Sequence, residues 1–295
     1  MILTPSTDYD GLMVTFIQLL FNPSVPFLRN AVLAAFLASI AIGLVGSFVV
    51  VRKISYSVGA ITHASLMGVG IAFFLNLSAV YSQLAITLTA ILFGVLIALL
   101  SEKTVSYYRY DRLLSIVWAL GAAVGILLIS LTPGYVSAES YLFGNILFFS
   151  THELLILTVV DIILVIVFSL CYRRFTALSF DEEYLWLRGV SVRRYRVLFF
   201  SLVALCMSIL ASYIGIILLL ALMTVPVATV RMFSGILRIV ILRSSVLTAF
   251  YIISGIYISS IFDLPASSII VLLAILGYIL LFVYIAIRQR MSKIQ

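Results

Sequence analysis

Nine stretches of apolar residues, each close to the length that crosses a bilayer, dominate this chain. They cover residues 30–51, 58–76, 83–101, 113–132, 153–172, 197–213, 215–230, 245–262 and 267–287. Roughly 20 apolar residues in a helix span the hydrocarbon of a membrane, and a helix satisfies its backbone N–H and C=O groups within the segment. The runs are continuous and rich in Leu, Ile, Val and Ala, without the every-second-residue alternation of a membrane β-barrel. Charged residues make up 10% of the chain, too few to clothe a water-exposed surface. The expected fold is an all-α, polytopic transmembrane bundle forming one domain over residues 1–295. The stretch 197–230 is long for one crossing and short for two, and "SYIG" (212–215) is its only break. Nine crossings are expected, with eight as the alternative.

The loops sort by charge. With nine crossings, every Lys and Arg except Arg29 falls on one side, including Arg52, Arg173, Arg174, Arg196, Arg231, Arg238 and Arg288. Cytoplasmic loops carry such an excess. The expectation is a multi-pass protein of a bacterial inner membrane, with the amino terminus and residues 1–29 outside and the carboxyl terminus in the cytoplasm. The net charge of +7 then reports topology and not a nucleic-acid partner. The opposite loops carry Glu139, His152, Glu153 and Asp263. A mildly acidic outer face suits a cationic substrate, although outer loops commonly lack Lys and Arg for topological reasons alone.

Several chemistries are excluded by missing motifs. There is no G-x-x-x-x-G-K-[ST] phosphate loop, no H-E-x-x-H and no G-x-S-x-G. No acid, base and nucleophile set for an enzyme can be assembled. No clear inverted repeat is visible. Cys171 and Cys206 sit in or beside apolar runs and read as small buried hydrophobes. The opening residues carry Asp8 and Asp10 where a secretion signal carries Lys and Arg, so no cleaved signal is expected.

Ionisable residues inside apolar runs are costly and are therefore functional candidates. His63 lies in "SVGAITHASLMGVGIAFFL" (57–75), with Thr62 adjacent and Met67 one helical turn on. Imidazole and thioether suit transition-metal ions. A neutral histidine hydrogen-bonded across a helix interface fits equally well. The small residues Gly59, Ala60, Ala64, Gly68 and Gly70 allow another helix or subunit to approach and leave room for an ion. Asp161, in "LTVVDIILV", is either a pathway carboxylate or the partner of a Tyr or Ser on a neighbouring helix. In "LLLALMTVPVATVR" (218–231), Pro226 removes a backbone hydrogen bond and frees the Leu222 carbonyl, with Thr224 and Thr229 placed to serve freed groups. That kink is a candidate gate.

The connection 172–196 holds the densest charge in the sequence. Its run 181–188 spells a short amphipathic helix begun by Asp181, Glu182 and Glu183, with Tyr184, Leu185 and Leu187 apolar, Trp186 and Arg188 beside them, and Gly189 able to end it. Aromatic residues on the charged side of a membrane invite a soluble partner.

Five stretches in order are familiar: "GSFVVVRKISYSVGAITHASLMGVGIAFFL", "YLFGNILFFSTHEL" (141–154), "LSFDEEYLWLRGVSV" (178–192), "GIILLLALMTVPVATVRM" (215–232) and "FDLPASSIIVLLA" (262–274). Together they resemble the permease subunits of zinc and manganese ATP-binding-cassette (ABC) importers, the ABC-3 type, over residues 30 to 285. The resemblance implies a type II permease architecture like that of cobalamin importers. It implies a pathway enclosed by two permease subunits, two cytoplasmic ATPase subunits holding the ATP, and an extracytoplasmic metal-binding protein. Residues 173–196 would form the coupling loop that rests on the ATPase, with Asp181, Glu182, Glu183, Tyr184, Trp186, Arg188 and Gly189 at its contact. The transported divalent ion (zinc, manganese or iron) would pass His63, and no permanent cofactor is implied. One departure stands out. The family's G-D-A-x-S-H-A reads Val58-Gly59-Ala60-Ile61-Thr62-His63-Ala64, so the aspartate is replaced by Gly59, and the family's proline by Met67. The rival readings are an importer of a metal chelate or cobalamin and a secondary transporter working without an ATPase.

Overall fold

A computed structural model describes residues 26–101, 107–132, 138–144 and 146–291. Most of the amino-terminal segment 1–29 lies outside the described residues. Twelve helices follow in chain order among those described. They are α1 (Pro26–Val51), α2 (Ser55–Phe74), α3 (Ala79–Leu100), α4 (Tyr107–Ser130), α5 (Ala138–Phe143), α6 (Thr151–Leu170), α7 (Tyr172–Phe180), α8 (Glu182–Leu187), α9 (Val192–Ile214), α10 (Ile216–Arg231), α11 (Leu237–Phe262) and α12 (Ala266–Met291). Eight of them are long and apolar enough to cross a membrane, and α10 is a shorter apolar helix.

The doubtful stretch 197–230 resolves into two helices. Gly215 breaks it with φ 87°, a backbone angle that side chains disfavour. The start of α10 lies against Phe143–Gly144, where Gly144 has φ 62°. Its other end packs Val227 and Val230 with Val240 of α11 and Val50 of α1. α10 therefore links the two ends of the bundle, beside the eight helices among the described residues that are long enough to cross a membrane.

Lipid tails are as apolar as leucine, so close packing and not water exclusion holds membrane helices together. The α2–α4 pair shows the device. Gly121 and Gly125, four apart on α4, meet Ala64 and Leu66 of α2 so closely that a methyl group at either would overlap backbone. Gly68 of α2 meets α3 in the same way. The stripe expected to admit another helix or subunit and to leave room for an ion does admit helices, the chain's own α3 and α4, which fill it. α1 crosses α11 at Gly43, beside a Ser47–Ser244 hydroxyl pair at 3.2 Å. α1, α2 and α9 form the buried centre, whereas α12 is the most exposed span.

The two ends of the bundle carry different chemistry. At one, the Asn30 amide donates to the Phe149 carbonyl at 2.9 Å and the Ser267 hydroxyl to that of Phe143 at 2.8 Å. Glu153, expected to make that face acidic, is engaged in a capping box with Ser150 at the start of α6. The other end gathers Arg52, Arg174, Arg196, Arg238 and helices α7 and α8. The sequence reading gave α8 but not α7, whose Phe175 joins Phe48, Phe168 and Phe199 in a cluster of rings 5.0–6.4 Å apart.

Candidate functional site

α8 forms for local reasons. The Asp181 carboxylate accepts from the Glu183 and Tyr184 N–H groups, both at 3.0 Å, and so caps the helix. Gly189, at φ 72°, stops it, and the Val190 N–H returns to the Leu185 carbonyl. The expected boundaries hold, and the aromatics Tyr184 and Trp186 are exposed as expected, at 45% and 69%. The two leucines part, Leu185 turning inward at 4% exposure and Leu187 outward at 73%. A helix of six residues has too few turns for spacing to assign its faces. Arg188 lies with its guanidinium 4.9 Å from the centre of the Tyr184 ring.

Glu182, expected to meet a partner, turns into the protein. One oxygen accepts from Arg52 at the end of α1 at 2.6 Å, the other from Arg196 in the second turn of α9 at 2.7 Å. Arg52 also lies over the rings of Phe199 and Phe200, at 5.3 and 5.5 Å. Burial pulls the Arg52 guanidinium below its usual pKa, and Glu182 opposes that pull. The arginines were legible only as markers of sidedness. Their pairing joins residues far apart in sequence, which no local spacing reveals.

Midway along α2, His63 stacks on Trp118 of α4, ring centres 4.3 Å apart and planes 21° from parallel. Tyr56 covers the indole from elsewhere on α2 at 5.6 Å, and its hydroxyl bonds that of Ser115 at 2.8 Å. Gly59 is what admits the indole, because a Cβ there would stand 2.5 Å from Trp118 Cζ3. The residue at the position of the family's aspartate thus makes room for an aromatic ring. His63 Nδ1 is buried and has no hydrogen-bond partner. The interface histidine bonded through that nitrogen is therefore not what the structure shows. Met67 lies on the same helix, partly buried against the core. Thr62 is fully buried, and its hydroxyl donates to the Val58 carbonyl at 2.8 Å, which directs it to its own helix.

Asp161 is not brought to His63. α6 packs against α1, α7 and α9, whereas α2 packs against α1, α3, α4, α9 and α10. Asp161 instead lies near enough to Cys206 of α9 to act on it electrostatically. Neither carboxyl oxygen has a partner, at 5% exposure, so the expected Tyr or Ser is absent. Pro226 lies within a continuous α10. The Thr224 hydroxyl donates to Leu220 and Ala221, and that of Thr229 to Val225, so neither serves the freed Leu222 carbonyl. Among the described residues no three His, Cys, Asp or Glu side chains gather as a metal-holding set. Any metal ion at His63 would be held by few protein ligands.

Residues 24–285 match the model of the ABC 3 transport family. A "Probable metal transport system membrane protein" of Chlamydia muridarum is 35% identical over 269 residues, covering 89% of this chain and 90% of that protein. The "Manganese import system permease protein ScaB" of Streptococcus gordonii is 31% identical, covering 90% and 94%. Among solved structures, "PsaBC from Streptococcus pneumoniae in complex with Fab" superposes with a TM-score of 0.78 at 28% identity, over 92% of this chain and 95% of that one. The chain belongs to the ABC 3 transport family.

Proposed function

We propose that this member of the ABC 3 transport family is the permease subunit of an importer carrying a divalent transition-metal ion (zinc, manganese or iron) into the cytoplasm. ATP hydrolysis on a separate subunit drives it. Two relatives whose names state metal transport or manganese import, aligned over nearly the whole chain, support the substrate class. The arginine-rich end is cytoplasmic on the positive-inside argument, which puts residue 26 outside and residue 291 inside. The protein forms no covalent bond with its cargo.

The observation that carries this reading is the outward edge of α8. Tyr184, Trp186 and Leu187 stand exposed at the arginine-rich end, on a helix capped by Asp181, stopped by Gly189 and clamped by Glu182 to α1 and α9. An exposed apolar edge on a fixed mount is what a driving subunit needs to grip. Two ATPase subunits, a second permease subunit and an extracytoplasmic capture protein complete the assembly.

His63 is the transient ligand, with Met67 beside it. Its free Nδ1 is a donor atom awaiting an ion. Trp118, stacked on the imidazole, closes the route in this conformation. Movement of α4 against α2 would uncover His63, and weak ligation suits an ion that must leave again. Pro226, with Thr224 on the same helix, gives α10 a point of bending at which the path is gated.

The test uses the chain co-expressed with its ATPase subunit and reconstituted in vesicles. ATP-dependent uptake of zinc, manganese and iron is measured for the parent and for His63→Ala. Uptake of at least one metal is expected in the parent, with loss in the variant. A parent that moves none of them overturns the function, whereas an unimpaired variant overturns only the role of His63.

A further inference from the structure

Where α1, α6 and α11 diverge, the arginine-rich end of the bundle holds a groove of about 790 Å³. Its walls are mainly apolar, with Ile40 and Leu44 of α1, Val165 and Phe168 of α6, and Ile241 and Leu242 of α11, beside the hydroxyls of Ser169 and Ser245. Its mouth carries three cations, Arg173 and Arg174 at the start of α7 and Arg238 in the first turn of α11. No carboxylate lines it. All three arginines are exposed. Arg174 lies over the Tyr195 ring at 5.0 Å and Arg238 over Tyr172 at 5.2 Å. A ring under a guanidinium fixes its direction without cancelling its charge.

The depth of the groove narrows the choice of occupant. Ile40 lies eleven residues before the end of α1 at Val51, which is ~16 Å along a helix. Half of a bilayer's hydrocarbon is ~15 Å. The slot therefore runs from the charged boundary to about the midplane, the reach of one acyl chain. A transported cation would be repelled at such a mouth. A free phosphate would satisfy the arginines and leave the apolar slot unused. A second protein copy would have to bury three arginines without a counter-charge from this side of the contact.

We propose that this groove is a binding site for a phospholipid with an anionic headgroup, its phosphate held by Arg173, Arg174 and Arg238 and one acyl chain lying along α1 between α6 and α11. Arginine suits the role because its planar fork of donors matches phosphate oxygens. Basic clefts between membrane helices at a water boundary are a general mode of headgroup recognition. An occupant here would wedge α11 against α6 beside α7, and so bear on the mount of α8.

The test reads binding without transport, so it stands or falls separately from the proposed importer function. The full chain, purified with the subunits that accompany it, is placed in mild detergent. Phosphatidylglycerol or phosphatidylcholine of identical acyl chains is added, and retained lipid is counted by native mass spectrometry. Phosphatidylglycerol is expected to outlast phosphatidylcholine. The combined change Arg173→Gln, Arg174→Gln, Arg238→Gln should lower its retention by at least about fivefold. The exposed pair Arg288→Gln, Arg290→Gln, outside the groove, should not. Leu242→Trp, which fills the slot and keeps the arginines, should also expel the lipid, and size-exclusion profiles matching the parent exclude misfolding as the cause. Equal retention of the two lipids, an equal loss in the Arg288/Arg290 variant or displacement by inorganic phosphate would overturn the proposal. So would efficient cross-linking of Leu242→Cys between copies, which would make the groove a protein interface.

Discussion

The carboxylate at the α8 end and the ionisable groups inside the span differ in their partners. At the α8 end, Glu182 is bonded through both oxygens to Arg52 and Arg196, over a floor of packed phenylalanines, although Nη1 of both arginines and Nε of Arg196 stay unbonded. Inside the span, His63 Nδ1 and both Asp161 oxygens have no hydrogen-bond partner. The first arrangement suits a part that transmits force without deforming. The second leaves donor atoms unengaged, which costs stability and keeps ligating capacity in reserve. Mutations in the two regions should therefore differ in kind, the first acting on stability and the second on transport.

The largest expected effect tests the clamp. Glu182→Ala strands two arginines whose side chains are 9% and 5% exposed, and removing one partner of a buried ion pair costs about 3 kcal/mol or more. The thermal midpoint of the purified complex should fall accordingly, and an unchanged midpoint would show that the arginines find other counter-charges. Next comes His63→Ala. Uptake by the reconstituted complex should drop about tenfold, ~1.4 kcal/mol, while stability changes by no more than the ~1 kcal/mol of the lost stacking on Trp118. A large loss of stability with uptake intact would place His63 with the structural groups and erase the contrast.

These two outcomes also mark how far the sequence was legible. Spacing and hydropathy gave the apolar helices, the break at Gly215 and the extent of α8, because each depends on residues within a short stretch of chain. The clamp depends on α1 and α8 meeting across 130 residues, and Arg52 and Arg196 looked like any loop arginines. Trp118 is likewise a neighbour supplied by another helix, so the filling of the space above Gly59 was invisible. The surroundings of Asp161 were open for the same reason: a carboxylate in an apolar run declares its cost, not its direction.

Smaller effects sharpen the comparison. Asp181→Ala removes the cap of α8 and should destabilise that helix by about 1 kcal/mol. The readout is faster hydrogen exchange confined to residues 182–190, with uptake per ATP hydrolysed reduced, and exchange rising across the whole bundle would contradict a local role. Smallest is Asp161→Val. Replacing an unpartnered buried carboxyl with an apolar side chain should leave stability unchanged or raise it by about 1 kcal/mol, read as an equal or higher thermal midpoint. A marked fall would mean that Asp161 has a partner within the assembled transporter.

The brevity of α10 has a consequence for how the end of the bundle opposite the arginines can open. Its 16 residues make a rod of ~24 Å, short of the ~30 Å of bilayer hydrocarbon. With Arg231 taken at the aqueous boundary, as the proposed orientation has it, the shortfall falls at Gly215, beneath the opposite lipid surface. Peptide groups at that depth find no solvent, and the cover over them is the Phe143–Gly144 backbone at the tail of α5. Drawing α5 aside would bare those groups to oil unless water flowed in behind it, so this end of the protein can part only as a flooded vestibule, never as a crack facing the lipid.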